Sequence, residues 1–161
     1  MFVTGDRVVY PLHGGAVVTG IQYRELDGAS VGYYILQMLF ENMTISVPVA
    51  NAEKLGLRSV GDADVLQSLS AVLKERPDVR AVKSISWNRR FQYYMTKIKS
   101  GELMEVAKIY KILTILEGEK KISVGERRLL HSTKQILQSE IMLIKNVDAG
   151  SAESWLAECC K

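Results

Sequence analysis

The residues best suited by type and spacing to act on another molecule lie together in Ser86-Trp87-Asn88-Arg89-Arg90-Phe91. Trp87 supplies a large apolar wedge, and Arg89 and Arg90 supply phosphate-seeking charge. Ser86 reads as the N-cap of a helix that carries Trp87, Phe91, Tyr94 and Ile98 at spacings of four, three and four until Ser100-Gly101 ends it. A first-turn residue stands where unpaired N–H groups attract phosphate. An indole there can insert against bases in a widened minor groove, lowering the cost of a kinked or melting step. The same spacing also describes a core stripe, because tryptophan is usually well buried. Arg127 and Arg128 fall in the first turn of a later helix, where cations oppose the helix dipole and a compensating role is expected. Together Trp87, Arg89, Arg90, Arg127 and Arg128 are the DNA-binding candidates. The lysines at 97, 99, 108, 111, 120, 121 and 134 read equally well as a solvated face.

Catalytic chemistry finds no such gathering. His13 and His131 are far apart, and there is no H-x-x-x-H or C-x-x-C spacing, no phosphate-cradling G-x-x-x-x-G-K-S/T loop and no G-x-S-x-G turn. Cysteine occurs only at the adjacent positions Cys159 and Cys160, which cannot staple distant segments. The expectation is a non-enzymatic protein of a reducing cytosol, with no catalytic residue, metal or cofactor. No stretch approaches the roughly 18 uninterrupted apolar residues of a spanning helix, so a soluble, cytoplasmic chain is expected.

The elements that must position these residues divide the chain in two. Residues 1–65 carry Arg7, Arg24, Lys54 and Arg58 against seven acidic side chains, a net −3, and since the whole chain is +3 the remainder is +6. Such asymmetry points to nucleic acid or another anionic surface for the second part. The first part holds Arg7–Tyr10, Ala16–Tyr23, Tyr33–Leu39 and Met43–Pro48, short runs rich in β-branched and aromatic residues. Between them Pro11–Gly15, Asp27–Ser30 and Glu41-Asn42 supply turn residues. With no helical pattern between the strands, the sheet is predicted to be small and antiparallel. From Asp62 or Asp64 as a cap the period becomes helical, with Val65, Leu66, Leu69, Val72 and Leu73 on one face until Arg76-Pro77-Asp78. Residues 76–85 read as a linker. After the Trp87 helix, a helix over 102–117 turns Leu103, Val106, Tyr110 and Leu113 inward. Ser123-x-x-Glu126 opens a further helix as a capping box, and residues 151–160 add a short last one.

Several motifs in one order carry a resemblance to a known family. They are Gly5-Asp6-Arg7-Val8-Val9-Tyr10-Pro11-Leu12-His13-Gly14; Val47-Pro48 with Asn51-Ala52-Glu53 and Gly56-Leu57-Arg58; Trp87-Asn88-Arg89-Arg90-Phe91; Lys99-Ser100-Gly101-Glu102-Leu103; and Gly125-Glu126-Arg127-Arg128-Leu129-Leu130. Over about residues 1–145 the chain resembles the CarD/CdnL family of bacterial RNA polymerase-binding transcription regulators. The first motif is shared with the polymerase-binding module of transcription-repair coupling factors. The resemblance implies a Tudor-like β module that binds the β1 lobe of the RNA polymerase β subunit, and a helical domain that meets promoter DNA at the upstream edge of the bubble. There a tryptophan matching Trp87 wedges into the minor groove and stabilises the open complex. Arg24 matches a polymerase-contacting arginine, and the strand Thr44, Ile45, Ser46, Val47 would face polymerase. Relatives often place basic residues at the positions of Ser46 and Gln92, where this chain departs.

The expected architecture is therefore α+β, a small antiparallel Tudor-like β module followed by a compact all-helical domain. The expected division is 1–62 for polymerase interaction, 63–85 as connecting helix and linker, and 86–161 for DNA contact. The expected protein is a monomer associated with the nucleoid, binding promoter DNA largely without sequence specificity and no membrane. The alternative is an adaptor that docks on polymerase or another protein without touching DNA.

Overall fold

In the computed structural model, which describes residues 1–161, the apolar runs of the first part pair as one antiparallel sheet. Its strands are β1 (Arg7–Tyr10), β2 (Gly14–Leu26), β3 (Ala29–Met38), β4 (Thr44–Pro48) and β5 (Arg58–Ser59), in the order β4-β3-β2-β1-β5. The inward-facing residues Val8, Ala16, Val18, Tyr34, Leu36, Met38 and Val47 form a small core, closed by Ala52 and Leu57. The β2–β3 hairpin turns through Asp27 and Gly28, both at positive φ, as a two-residue loop between twisted strands requires.

The structure departs from the sequence reading in three strands. Strands β2 and β3 extend past Tyr23 and Tyr33 into a polar arm, Arg24-Glu25-Leu26 paired with Ala29-Ser30-Val31. Backbone hydrogen bonds and the tight turn hold this arm where no core exists to leave an apolar alternation. The two-residue β5 is too short to produce any pattern.

Six helices follow: α1 (Ala63–Lys74), α2 (Arg80–Lys83), α3 (Trp87–Lys99), α4 (Leu103–Gly118), α5 (Val124–Lys145) and α6 (Ala149–Cys159). Asp62 caps α1, its carboxylate accepting from the backbone N–H of Asp64 and Val65. Asp148 caps α6, which therefore begins two residues earlier than expected. The apolar helix α4 lies at the centre, with Ile109, Leu113 and Leu116 packed among Leu137 and Ile141 of α5 and Leu156 of α6. Tyr110, expected inward, is only half-buried. Residues 63–85 do more than connect: Leu69 and Leu73 of α1, with Val79 and Val82 around α2, are members of this helical core. The short α2 escaped notice because four residues are too few to show a period.

Contacts of high specificity join the sheet to the helices. Gly14 and Gly15, read as turn residues, instead let β2 touch α5. A Cβ on Gly15 would stand 2.8 Å from Leu143 Cδ1 and 3.0 Å from the Ser139 carbonyl oxygen. The Gly15 N–H donates to Ser139 Oγ at 2.7 Å. Arg58 of β5 donates to both carboxylate oxygens of Glu140 at 2.8 and 3.0 Å and to the Gly101 carbonyl at 3.0 Å. Arg7 of β1 reaches the Leu143 carbonyl at 2.7 Å and Asn146 Oδ1 at 3.0 Å, at the C-terminal end of α5. Half of the four basic side chains of residues 1–65 are thus spent on holding the modules together.

Candidate functional site

Helix α3 starts at Trp87 because Ser86, in extended conformation, turns its hydroxyl to accept from the Arg89 N–H. Its last two turns are covered, with Tyr94 and Ile98 buried, whereas its first turn overhangs. Trp87 and Phe91 are each 39% exposed although they share the predicted stripe. Their ring centroids are 5.7 Å apart at 51°. The benzo edge of the indole lies against Gly125 in the first turn of α5, so close that a Cβ there would meet Cζ2 and Cη2 at 2.8 Å. The Arg90 guanidinium sits 5.9 Å from the indole centroid. The ring is therefore backed on one side and open on the other, where two helix N-termini converge.

Beneath it is a polar cluster that sequence reasoning missed. Glu126, 0% exposed, accepts from Arg90 at 2.9 Å, from the Tyr94 hydroxyl at 2.7 Å and from the Ser123 N–H at 3.2 Å. The Glu126 N–H returns a bond to Ser123 Oγ at 3.1 Å, completing the predicted capping box. Burial pushes the Glu126 carboxyl upward, but the Tyr94 and Ser123 hydrogen bonds and the Arg90 charge outweigh it and hold the group below the usual carboxylate range. Burial, with the anionic neighbour, pushes the Tyr94 phenol upward. The capping-box spacing announced Glu126 as a helix cap; nothing in it announced a second duty as counter-ion to α3.

This cluster divides the candidate arginines. Arg90 is turned inward onto Glu126, with its Nε buried and unpartnered, so its charge is committed inside the protein instead of standing free beside Arg89. Arg89 and Arg128 are exposed and form no ion pair, and Arg127 approaches Glu117 only at 3.9 Å. Arg127 and Arg128 follow directly on Gly125-Glu126, which places them at the same helix start as the indole. Among the lysines, Lys97 and Lys108 share Glu105, and Lys134 pairs with Glu153.

In the β module, Arg24 and Ser46 are brought together. The Arg24 guanidinium lies 4.7 Å from the Tyr33 ring centroid and donates to Gln22 Oε1 at 2.9 Å and Ser46 Oγ at 3.2 Å. Strand β4 is an edge, paired only with β3. Thr44 and Ser46 are exposed and Ile45 is half-buried, but the Val47 side chain belongs to the β core, leaving only its backbone for a partner. Tyr23, 70% exposed with its ring beside Gly32 of β3, and Leu26, 50% exposed, stand toward the outer end of β2. They escaped the sequence reading because a lone exposed tyrosine in a strand looks like any other strand residue.

The histidines stand apart from both groups: His13 stacks on Tyr10 at 5.7 Å, and His131 is exposed on α5. No helix is long and apolar enough to cross a membrane.

Comparison with known proteins finds matches to both parts of the chain. Residues 2–61 match the family model described as CarD-like/TRCF RID domain, and residues 68–157 match that for the CarD C-terminal domain. The chain is 28% identical over 155 residues to a Bacillus subtilis (strain 168) protein named "Putative transcription factor YdeB", covering 96% of this chain and 99% of that one. A solved structure, "CdnLNt from Myxoccoccus xanthus", is 36% identical over 37% of this chain and 84% of its own, with a TM-score of 0.32. Since the two family models between them span nearly its whole length in the expected order, the chain belongs to the CarD/CdnL family of transcription regulators.

Proposed function

We propose that this protein docks on the β subunit of RNA polymerase through its sheet and holds promoter DNA open with Trp87. Residues 1–62 make the polymerase contact, and the helices built on 86–161 make the DNA contact. The observation that carries this reading is the half-exposed indole on the first turn of α3, backed by Gly125 and Arg90 while Tyr94 and Ile98 further along its stripe are buried. A wedge must be rigid, apolar and reachable, and the backing supplies the rigidity. Arg89, Arg127 and Arg128 hold the flanking phosphates; Arg90 acts through the indole it supports. On the other module, the unpaired edge of β4 offers main-chain groups for strand addition over Thr44–Val47, with Arg24 fixed alongside. DNA contact is made largely through backbone and shape, without base-specific readout in the duplex.

The experiment is the lifetime of the open complex formed with polymerase on a promoter. Trp87→Ala shortens it about tenfold or more, the scale of one lost aromatic–base stack, and leaves polymerase binding unchanged. An undiminished lifetime rejects the wedge and favours a purely protein-docking adaptor.

A further inference from the structure

We propose that Trp87, Asn88, Phe91 and Gln92 form a cup for one unpaired nucleobase, the two rings stacking on it and the two amides hydrogen-bonding its edge. This rests on the DNA-contacting role given to Trp87 above and adds what the site takes, a base instead of a phosphate.

These four side chains line a surface cleft of about 310 Å³. The rings meet at 51°, so they do not close face to face on one another, and each leaves area free for a third ring. Asn88 and Gln92 are exposed, and neither side-chain amide bonds within the protein; the Thr96 hydroxyl donates to the Gln92 backbone carbonyl at 2.8 Å and leaves its side chain free. A carboxamide presents donors and an acceptor side by side, which matches the edge of a base. It carries no charge with which to hold a phosphate. In a duplex, the base's pairing edge is already used and its faces are stacked, so an occupant that offers both must be unpaired. Arg89, exposed beside Asn88, supplies a cation for the backbone of that strand. Aromatic platforms flanked by positive charge are how single strands are bound.

The test uses the full-length protein, RNA polymerase and forked promoter DNA carrying the fluorescent adenine analogue 2-aminopurine at successive unpaired positions. Wild-type protein quenches the analogue at one position next to the fork. Phe91→Ala relieves that quenching and shortens the open-complex lifetime on the order of fivefold or more, as expected for loss of one stacking partner. Phe91→Tyr behaves as wild type. Asn88→Ala with Gln92→Ala, both at exposed positions, reduces discrimination between bases at that position while the protein melts normally. An abasic site at that position erases the difference between wild type and Phe91→Ala. If Trp87→Ala shortens the lifetime while Phe91→Ala and the amide variants match wild type, the wedge stands and the base cup is rejected. If Trp87→Ala is also without effect, both are rejected.

Discussion

A tryptophan and an arginine that look alike as DNA ligands in the sequence play different parts once folded. Trp87 is left open because α4 covers only the later turns of α3, and Arg90 is drawn inward by a carboxylate 36 residues away in the chain. No periodicity encodes that pairing. With the indole half-exposed, Trp87→Ala is expected to lower stability by about 1–2 kcal/mol, below the ~3–5 kcal/mol of fully buried aromatics, as read by denaturant melts. A steeper loss would mark the ring as core. Gly125 bears on the indole directly: Gly125→Ala puts a methyl group 2.8 Å from Cζ2 and Cη2, too close for the ring to keep its place. In a Trp155→Phe background the Trp87 emission should shift to the red as the ring is pushed into solvent, with open-complex lifetime falling while the melt changes little. Unchanged emission would place the indole elsewhere. Among the cations, Arg89 and Arg128 form no ion pair and Arg127 has only the 3.9 Å approach of Glu117, and each one removed should flatten the log–log salt dependence of DNA binding by about one. Arg90→Ala should instead act through stability, because it strips a buried carboxylate of its counter-ion.

At the scale of elements, the start of α5 serves three purposes: it caps its own first turn, neutralises Arg90 and gives the indole a floor. Glu126 is the shared part. Its carboxyl is held below the usual range, so the folded state is favoured above the ordinary glutamate value near 4.5, and that contribution is lost as pH falls through the depressed value. Glu126→Gln should therefore destabilise the protein at neutral pH by about 2–4 kcal/mol, by leaving Arg90 unpaired, and should flatten the acid limb of a stability–pH profile. An acid limb identical to wild type would remove Glu126 from that role. Elements with a period or a cap were legible from sequence: the Ser86 and Ser123 starts, the stripe of α1 and four of the five strands. What was not legible lacked local signal. Helix α2 is a single turn, β5 is two residues, and the β2–β3 arm is held by a hairpin turn and backbone pairing over no core. Val47 illustrates the limit within a site: edge-strand position is readable, but which way each side chain turns depends on register with β3.

For the molecule as a whole, the arrangement is a bracket. A flexible tether would bring DNA contact only through raised local concentration; here Arg58–Glu140, Arg7 on the end of α5 and Gly15 on Ser139 fix the sheet against the helices. Arg7 and Arg58 were legible as residues of the family motifs and Gly15 as a turn residue, but their joining of the two modules was not, since all three contacts span more than 80 residues. Glu140 is 1% exposed. Arg58→Ala, which leaves it unpaired, should cost about 3 kcal/mol, and should weaken open-complex stabilisation more than it weakens polymerase binding. Equal losses in both would mean that the bracket's rigidity is not used. The most direct measurement of the central idea is acrylamide quenching of Trp87 in a Trp155→Phe protein, alone and bound to polymerase on melted promoter DNA. The expected result is an accessible indole in the free protein that becomes shielded when the bubble forms. An indole inaccessible from the outset, or equally accessible in both states, would contradict it.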